Sequence, residues 1–118
     1  MHSLALVMHQ RGHVVTGSDD EIYEPSRSRL EDKGLLPPEI GWHPDRINAD
    51  LDVVVLGMHA RGDNPELKRA QELGLKIESF PQFMFNISKD KTRIVVAGSH
   101  GKTNTSGMIA HVLATAGI

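Results

Sequence analysis

A glycine-rich turn near the end of the chain constrains the fold more than any other feature. Residues 98–103 read Gly-Ser-His-Gly-Lys-Thr and follow directly on the β-branched run at 93–97. Beyond the turn, residues 102–116 carry apolar side chains at helical spacing. These are Ile109, Val112, Leu113 and Ala116. A strand, a glycine turn and a helix in this order are the setting of a phosphate-binding loop.

The residue types in the turn suit phosphate chemistry. Glycines let backbone N–H groups converge on phosphate oxygens, a lysine supplies a mobile cation, and a hydroxyl side chain can complete a Mg²⁺ coordination sphere. The spacing is Gly-x-x-Gly-Lys-Thr, and Val96 stands where the common loop has its first glycine. The pattern therefore indicates an enzyme that uses a nucleoside triphosphate, with a structural turn as the alternative.

Apolar runs and helical patterns alternate along the chain. Four segments are predicted to be strands, at residues 13–17, 52–57, 76–79 and 93–97, and residues 40–43 form a weaker candidate for an edge strand. Five segments are predicted to be helices, at residues 1–11, 26–33, 65–73, 81–87 and 102–116. This alternation predicts parallel strands with helical crossovers.

The predicted fold class is α/β. A Rossmann-like parallel sheet domain whose first strand is missing occupies residues 1–88, and a P-loop ATP-binding α/β domain begins at residues 89–118. The polar run at 88–92 separates the two as a linker. We expect the chain to be a fragment, and we expect exposed strand edges to favour a homodimer of it.

The signals for the start and end of a helix are clearest around residues 65–73. Asn64 is predicted to cap this helix, Pro65 to occupy its first position, and Gly74 to follow its end. The charged residues Glu66, Lys68, Arg69 and Glu72 are predicted to form a solvated face. The residues Phe80, Phe83, Met84 and Phe85 are predicted to pack between helix and sheet.

Charge and composition exclude several classes of function. The formal net charge is −2, and the basic residues are scattered, so the chain lacks the basic patch of a nucleic-acid-binding protein. The longest apolar stretch, residues 53–58, falls far below the ~20 residues that a membrane-spanning helix needs. We expect a soluble cytoplasmic protein that binds a small anionic ligand.

Several motifs together resemble the Mur ligase family. The turn at 98–103 is similar to the family's Gly-Thr-His-Gly-Lys-Thr loop. Upstream, Val-Thr-Gly-Ser-Asp at 15–19, Asp-Asn-Pro-Glu-Leu at 63–67 and Phe-Pro-Gln-Phe at 80–83 resemble the amino-terminal domain of the muramate ligases. The resemblance covers essentially the whole chain.

The resemblance implies an ATP-dependent ligase that uses Mg²⁺. Lys102 would contact the β- and γ-phosphates as the catalytic residue, and Thr103 would bind the metal. The residues implied to surround ATP are Gly98, Ser99, His100, Gly101, Lys102, Thr103 and Asn104. Asn104 replaces the threonine that most members carry at this position.

The amino-terminal domain of the family binds the UDP part of a sugar nucleotide. Ser18 and Asp19 follow the predicted strand at 13–17, and His59 follows the one at 52–57, so these three residues are the candidates. For Asp19 the alternative is a carboxylate that only caps a turn, and for His59 it is a loop histidine without a partner.

The implied reaction is amide formation on UDP-N-acetylmuramate through an acyl phosphate. The stretch at 58–67 and Phe80-Pro81 resemble the family members that use L-alanyl-γ-D-glutamyl-meso-diaminopimelate as the acceptor in murein recycling. L-Alanine, the acceptor of peptidoglycan biosynthesis, is the alternative. Two other hypotheses remain. One is a non-catalytic module that binds a nucleotide sugar, and the other is an isolated P-loop kinase or ATPase.

Overall fold

Helices and two short strands alternate along the chain in a computed structural model that describes residues 1–118. The helices are α1 (His2–Gln10), α2 (Ser26–Glu31), α3 (Pro65–Glu72), α4 (Phe80–Ile87) and α5 (Lys102–Thr115), and the strands are β1 (Val54–Leu56) and β2 (Ile77–Ser79). A single 3-10 turn, Pro44–Arg46, precedes β1. All five predicted helices are present, each with ends within two residues of the prediction.

Helix α3 begins and ends as its sequence predicts. The side-chain Oδ1 of Asn64 accepts the backbone N–H groups of Glu66 at 2.9 Å and Leu67 at 3.2 Å. Pro65 needs no such partner and stands at the first helical position. Gly74 adopts a positive φ of 65° past the last turn, a conformation that glycine takes without strain.

Replacing Asn64 with alanine is expected to loosen the first turn of α3. The loss of an N-cap costs about 1 kcal/mol, which corresponds to about fivefold faster hydrogen exchange of the first-turn amides. Peptide-level hydrogen exchange over residues 65–72 measures the effect. Asn48→Ala is the matched control, because the Asn48 side chain accepts the Asp50 N–H in a turn outside any helix. Equal exchange in both variants would contradict the capping role.

The sheet consists of β1 and β2, which pair in parallel. Val54 lies opposite Ile77, and Leu56 lies opposite Ser79. Helix α3 connects the two strands, so this part of the chain is a βαβ unit. The predicted α/β character and the parallel pairing are therefore confirmed for these strands, each of which is shorter than the predicted segment.

Three predicted strands are wrong. Residues 13–17, 40–43 and 93–97 form no strand, although all three contain β-branched or aromatic residues. A strand requires a neighbour that takes its backbone hydrogen bonds, and periodicity in one segment says nothing about that neighbour. Side chains in two of these segments are correspondingly open to solvent, with Val14 97% and Val95 85% exposed.

The buried apolar core is small. It contains Leu30, Leu67, Ala70 and Phe83. Helix α3 supplies two of these four side chains, because Leu67 and Ala70 stand three residues apart on one face. Of the four side chains predicted to pack at 80–85, Phe83 is buried and Phe80 half-buried, whereas Met84 is 39% and Phe85 50% exposed.

Phe85 has two cationic neighbours. The guanidinium carbon of Arg93 lies 4.6 Å from the centroid of the Phe85 ring, and the Nζ of Lys89 lies 5.7 Å from it. Both distances are in the range of cation–π attraction. The exposed ring is thus stabilised by two cations. The spacing of apolar residues in the sequence does not predict these contacts.

The chain divides into two compact units, Met1–Met84 and Phe85–Ile118. The domain boundary predicted at residues 88–89 stays a prediction, as does the homodimer. None of the five helices combines the length and the apolar character of a membrane span.

Candidate functional sites

Ser18, a predicted substrate-binding residue, is held by a carboxylate from a distant part of the chain. Its Oγ donates a hydrogen bond to Oε1 of Glu66 at 2.6 Å. The backbone N–H of His43 donates to the same oxygen at 2.8 Å. One carboxylate oxygen therefore joins the loop that contains Ser18, the segment before the 3-10 turn, and α3.

Glu66 does not belong to the solvated face that its helix spacing predicts. The residue is half-buried in the first turn of α3, while Arg69 and Glu72 do form an exposed pair at 3.4 Å. An acidic side chain in the first turn is favoured by the helix dipole, and that preference is visible in sequence. The partners of Glu66 cannot be read from the sequence, because Ser18 and His43 lie 48 and 23 residues away along the chain.

Asp19 lies next to this junction. Its backbone oxygen accepts the N–H of Gly41 at 2.8 Å, and its Oδ1 accepts the N–H of Asp20 at 3.0 Å. Partial burial, followed by the interaction with the Asp20 side chain, raises the pKa of the Asp19 carboxyl above its usual value. The bond to the Asp20 N–H agrees with the alternative of a turn carboxylate.

His59 lies in the turn that follows β1 and is exposed. The turn is closed by a hydrogen bond from the Ala60 N–H to the Gly57 carbonyl at 3.1 Å. His59 forms no hydrogen bond with Ser18 or Asp19. The structure therefore connects Ser18 with Glu66, a residue not predicted for the site, and shows no hydrogen bond from His59 to either.

His43 provides a second polar feature that the sequence does not reveal. Its ring Nδ1 lies 3.8 Å from Oε2 of Glu39, whereas its Nε2 is buried with no hydrogen-bond partner. Buried polar atoms without partners are uncommon in folded proteins. This nitrogen is the kind of atom that a bound polar ligand or an ordered water satisfies.

The second candidate site is the loop that precedes α5. Gly101 stands at the N-cap with a φ of 74°, and the helix begins at Lys102. The Nζ of Lys102 donates to the carbonyl oxygen of Gly98 at 2.6 Å and approaches that of Ser99 at 3.5 Å. The lysine amine thus folds back over the loop.

All loop residues from 98 to 104 are exposed, and the first turn of α5 contains no acidic residue. The first N–H groups of a helix lack helical partners, and the dipole there favours an anion. A mobile ammonium, a helix N-terminus and the hydroxyl of Thr103 together fit a phosphate group with its metal ion. The individual roles of residues 98–104 stay predictions.

Comparison with known proteins identifies the protein family of this chain. Residues 1–92 match the Mur ligase family, catalytic domain, and the chain belongs to that family. Members of the family are ATP-dependent ligases. The family match ends before the loop at 98–103, so it does not include the predicted phosphate site.

Several relatives carry the same name. The chain is similar to proteins named UDP-N-acetylmuramate--L-alanine ligase from Ligilactobacillus salivarius (42% identical over 115 residues, 96% of this chain and 25% of the relative) and Limosilactobacillus reuteri (41% over 116 residues, 97% and 26%). A third, from Streptococcus agalactiae, is 36% identical over 115 residues, 96% of this chain and 25% of the relative. The chain spans about a quarter of the length of these relatives. No solved structure matches it significantly.

These names favour the alternative acceptor over the one preferred from the sequence. The stretch at 58–67 resembles the tripeptide ligases, yet the relatives that align across it are named for L-alanine. Short motifs shared by two enzymes with the same first substrate do not discriminate between their acceptors, which need not contact these residues.

Proposed function

We propose that this chain is part of an ATP-dependent ligase that joins the carboxylate of UDP-N-acetylmuramate to the amino group of L-alanine. The observation that carries the proposal is the similarity to proteins of that name over 96% of the chain. A match of that extent runs through the loop at 98–103, which the family match alone does not reach. The proposal therefore includes both candidate sites.

The proposed reaction has two steps. The γ-phosphoryl group of ATP passes to a carboxylate oxygen of the muramate, which yields an acyl phosphate and ADP. The amine nitrogen then attacks the acyl carbon, phosphate leaves with the C–O electron pair, and the ammonium loses a proton. Such transfers depend on positioning and on neutralising charge.

Residues 98–104 are proposed to bind ATP. The Lys102 amine would exchange its carbonyl partners for the β- and γ-phosphate oxygens, which are stronger acceptors for a cation. Backbone N–H groups between Gly98 and Asn104 would surround the phosphates. Thr103 would contribute its hydroxyl to Mg²⁺, the ion that offsets phosphate charge.

Ser18, Asp19 and His59 are proposed to contact the UDP part of the substrate. Support comes from the junction at Glu66, which holds Ser18 in place, and from the unpaired Nε2 of His43 nearby in the same hydrogen-bonded segment. These features are polar, as expected for a site that orients a nucleotide.

Phosphate release by the full natural protein tests the proposal. With ATP, Mg²⁺ and UDP-N-acetylmuramate, we expect release that depends on added L-alanine and yields the L-alanyl product by mass spectrometry. Release that requires the tripeptide would reassign the protein to murein recycling. Binding of UDP-N-acetylmuramate without release in either case would support the non-catalytic module.

A further inference from the structure

We propose that Glu66 is a positioning residue for the nucleotide-sugar site, a role that rests on the proposed function. Its single oxygen Oε1 holds two segments, the loop that begins at Ser18 and the segment that ends at His43. Glu66 itself would not touch the substrate. It would fix the arrangement of the groups that do.

The junction is cross-linked in three places. Besides the two bonds to Glu66, the N–H of Gly41 donates to the backbone oxygen of Asp19 at 2.8 Å. The two segments are thus bonded to each other and both to α3. Because hydrogen bonds to a carboxylate are stronger than those between neutral groups, Glu66 supplies the two stronger links.

Helix α3 gives Glu66 a rigid base. The Glu66 backbone N–H is fixed by Asn64, and the next residue, Leu67, is buried in the core with Ala70. Because the Glu66 backbone is fixed next to the core, its carboxylate can move little relative to the core. The position of the Ser18 loop is therefore set by the core of this unit.

The junction also determines how Ser18 can meet a ligand. A serine hydroxyl has one proton to donate and two lone pairs to accept. Since the proton points to Glu66, Ser18 presents only acceptor capacity to a ligand, and the His43 N–H is committed in the same way. Ser18 is thus suited to an N–H or hydroxyl donor of the nucleoside and unsuited to a diphosphate oxygen.

The test compares Glu66→Gln with Glu72→Gln in the full natural protein. Glu72 lies on the same helix and pairs only with Arg69 at the surface. We expect Glu66→Gln to raise the KM for UDP-N-acetylmuramate about tenfold, the effect of weakening charged hydrogen bonds, with kcat and the KM for ATP unchanged. Glu72→Gln should leave all three within about twofold of the original.

Hydrogen exchange at the His43 amide gives a readout that needs no substrate. We expect it to quicken in Glu66→Gln and to stay unchanged in Glu72→Gln. If Glu66→Gln disrupts folding, Ser18→Ala decides the matter, because it removes one bond and keeps the carboxylate. An unchanged KM for the sugar nucleotide in Ser18→Ala would then overturn the proposal.

The positioning role of Glu66 and the proposed function can be overturned separately. An active protein whose Glu66→Gln variant retains the original KM would overturn the positioning role alone. An unmodified protein that neither binds UDP-N-acetylmuramate by calorimetry nor releases phosphate with it would overturn the proposed function and the positioning role together.

Discussion

Lys102→Ala is expected to lower acceptor-dependent phosphate release by about 10²–10³-fold, the range found when a single preorganised charge-stabilising group is removed from an active site. The amine of Lys102 lies over the loop on the carbonyls of Gly98 and Ser99, from which it can reach a bound phosphate. Alanine leaves the charge that develops on transfer without this cation. The measurement is steady-state phosphate release by the full natural protein.

Lys91→Ala is the matched control for this prediction. Lys91 lies nearby in the chain, is exposed, and pairs only with the adjacent Asp90 at 2.9 Å. Its removal should leave the rate within about twofold, because exposed ion pairs contribute little. Equal rates for Lys102→Ala and the unmodified protein would show that the loop at 98–103 is a structural turn, the alternative that the sequence left open.

Phe83→Ala is expected to destabilise the unit formed by Met1–Met84 by about 3–5 kcal/mol. Phe83 is 9% exposed and belongs to a core of four buried apolar side chains. Deleting its ring removes the largest of them and leaves a cavity. Because small domains have little stability in reserve, a loss of this size unfolds a large fraction of the molecules.

Phe85→Ala offers a control on the same helix with the same change in chemistry. Phe85 is 50% exposed and contacts Arg93 and Lys89, so its replacement should cost only about 0.5–1 kcal/mol. Urea unfolding, followed through hydrogen exchange of the α3 peptide, compares the two variants. A larger loss of unfolding free energy for Phe85→Ala than for Phe83→Ala would mean that the face of α4 with Phe85, and not the face with Phe83, packs in the core.

Helices proved easier to predict than strands. Helix α3 was predicted within one residue, since Asn64, Pro65 and Gly74 act through backbone geometry and hydrogen bonds inside a few residues of the chain. The segments at 13–17 and 93–97 have strand-like composition but no strand. Their state depends on partner segments, about which local composition carries no information.

One candidate site could be predicted from local sequence and the other could not. The loop at 98–103 could be predicted as a phosphate-binding loop because glycine, lysine and threonine stand next to one another, and that role stays a prediction. The role of Glu66 could not, since its helix spacing equally suits a solvated face. Only the folded chain shows that Ser18 and His43 donate to it.

The sequence by itself determined the five helices, the ends of α3 and the family to which the chain belongs. The tertiary structure decided which segments pair as strands, that Phe83 alone among its aromatic neighbours is buried, and that Glu66 joins two distant segments. The physical reason is the range of the interactions. Caps and turns form between residues a few positions apart, whereas strand pairing and the Glu66 junction require contacts across 23 to 48 residues that only folding creates.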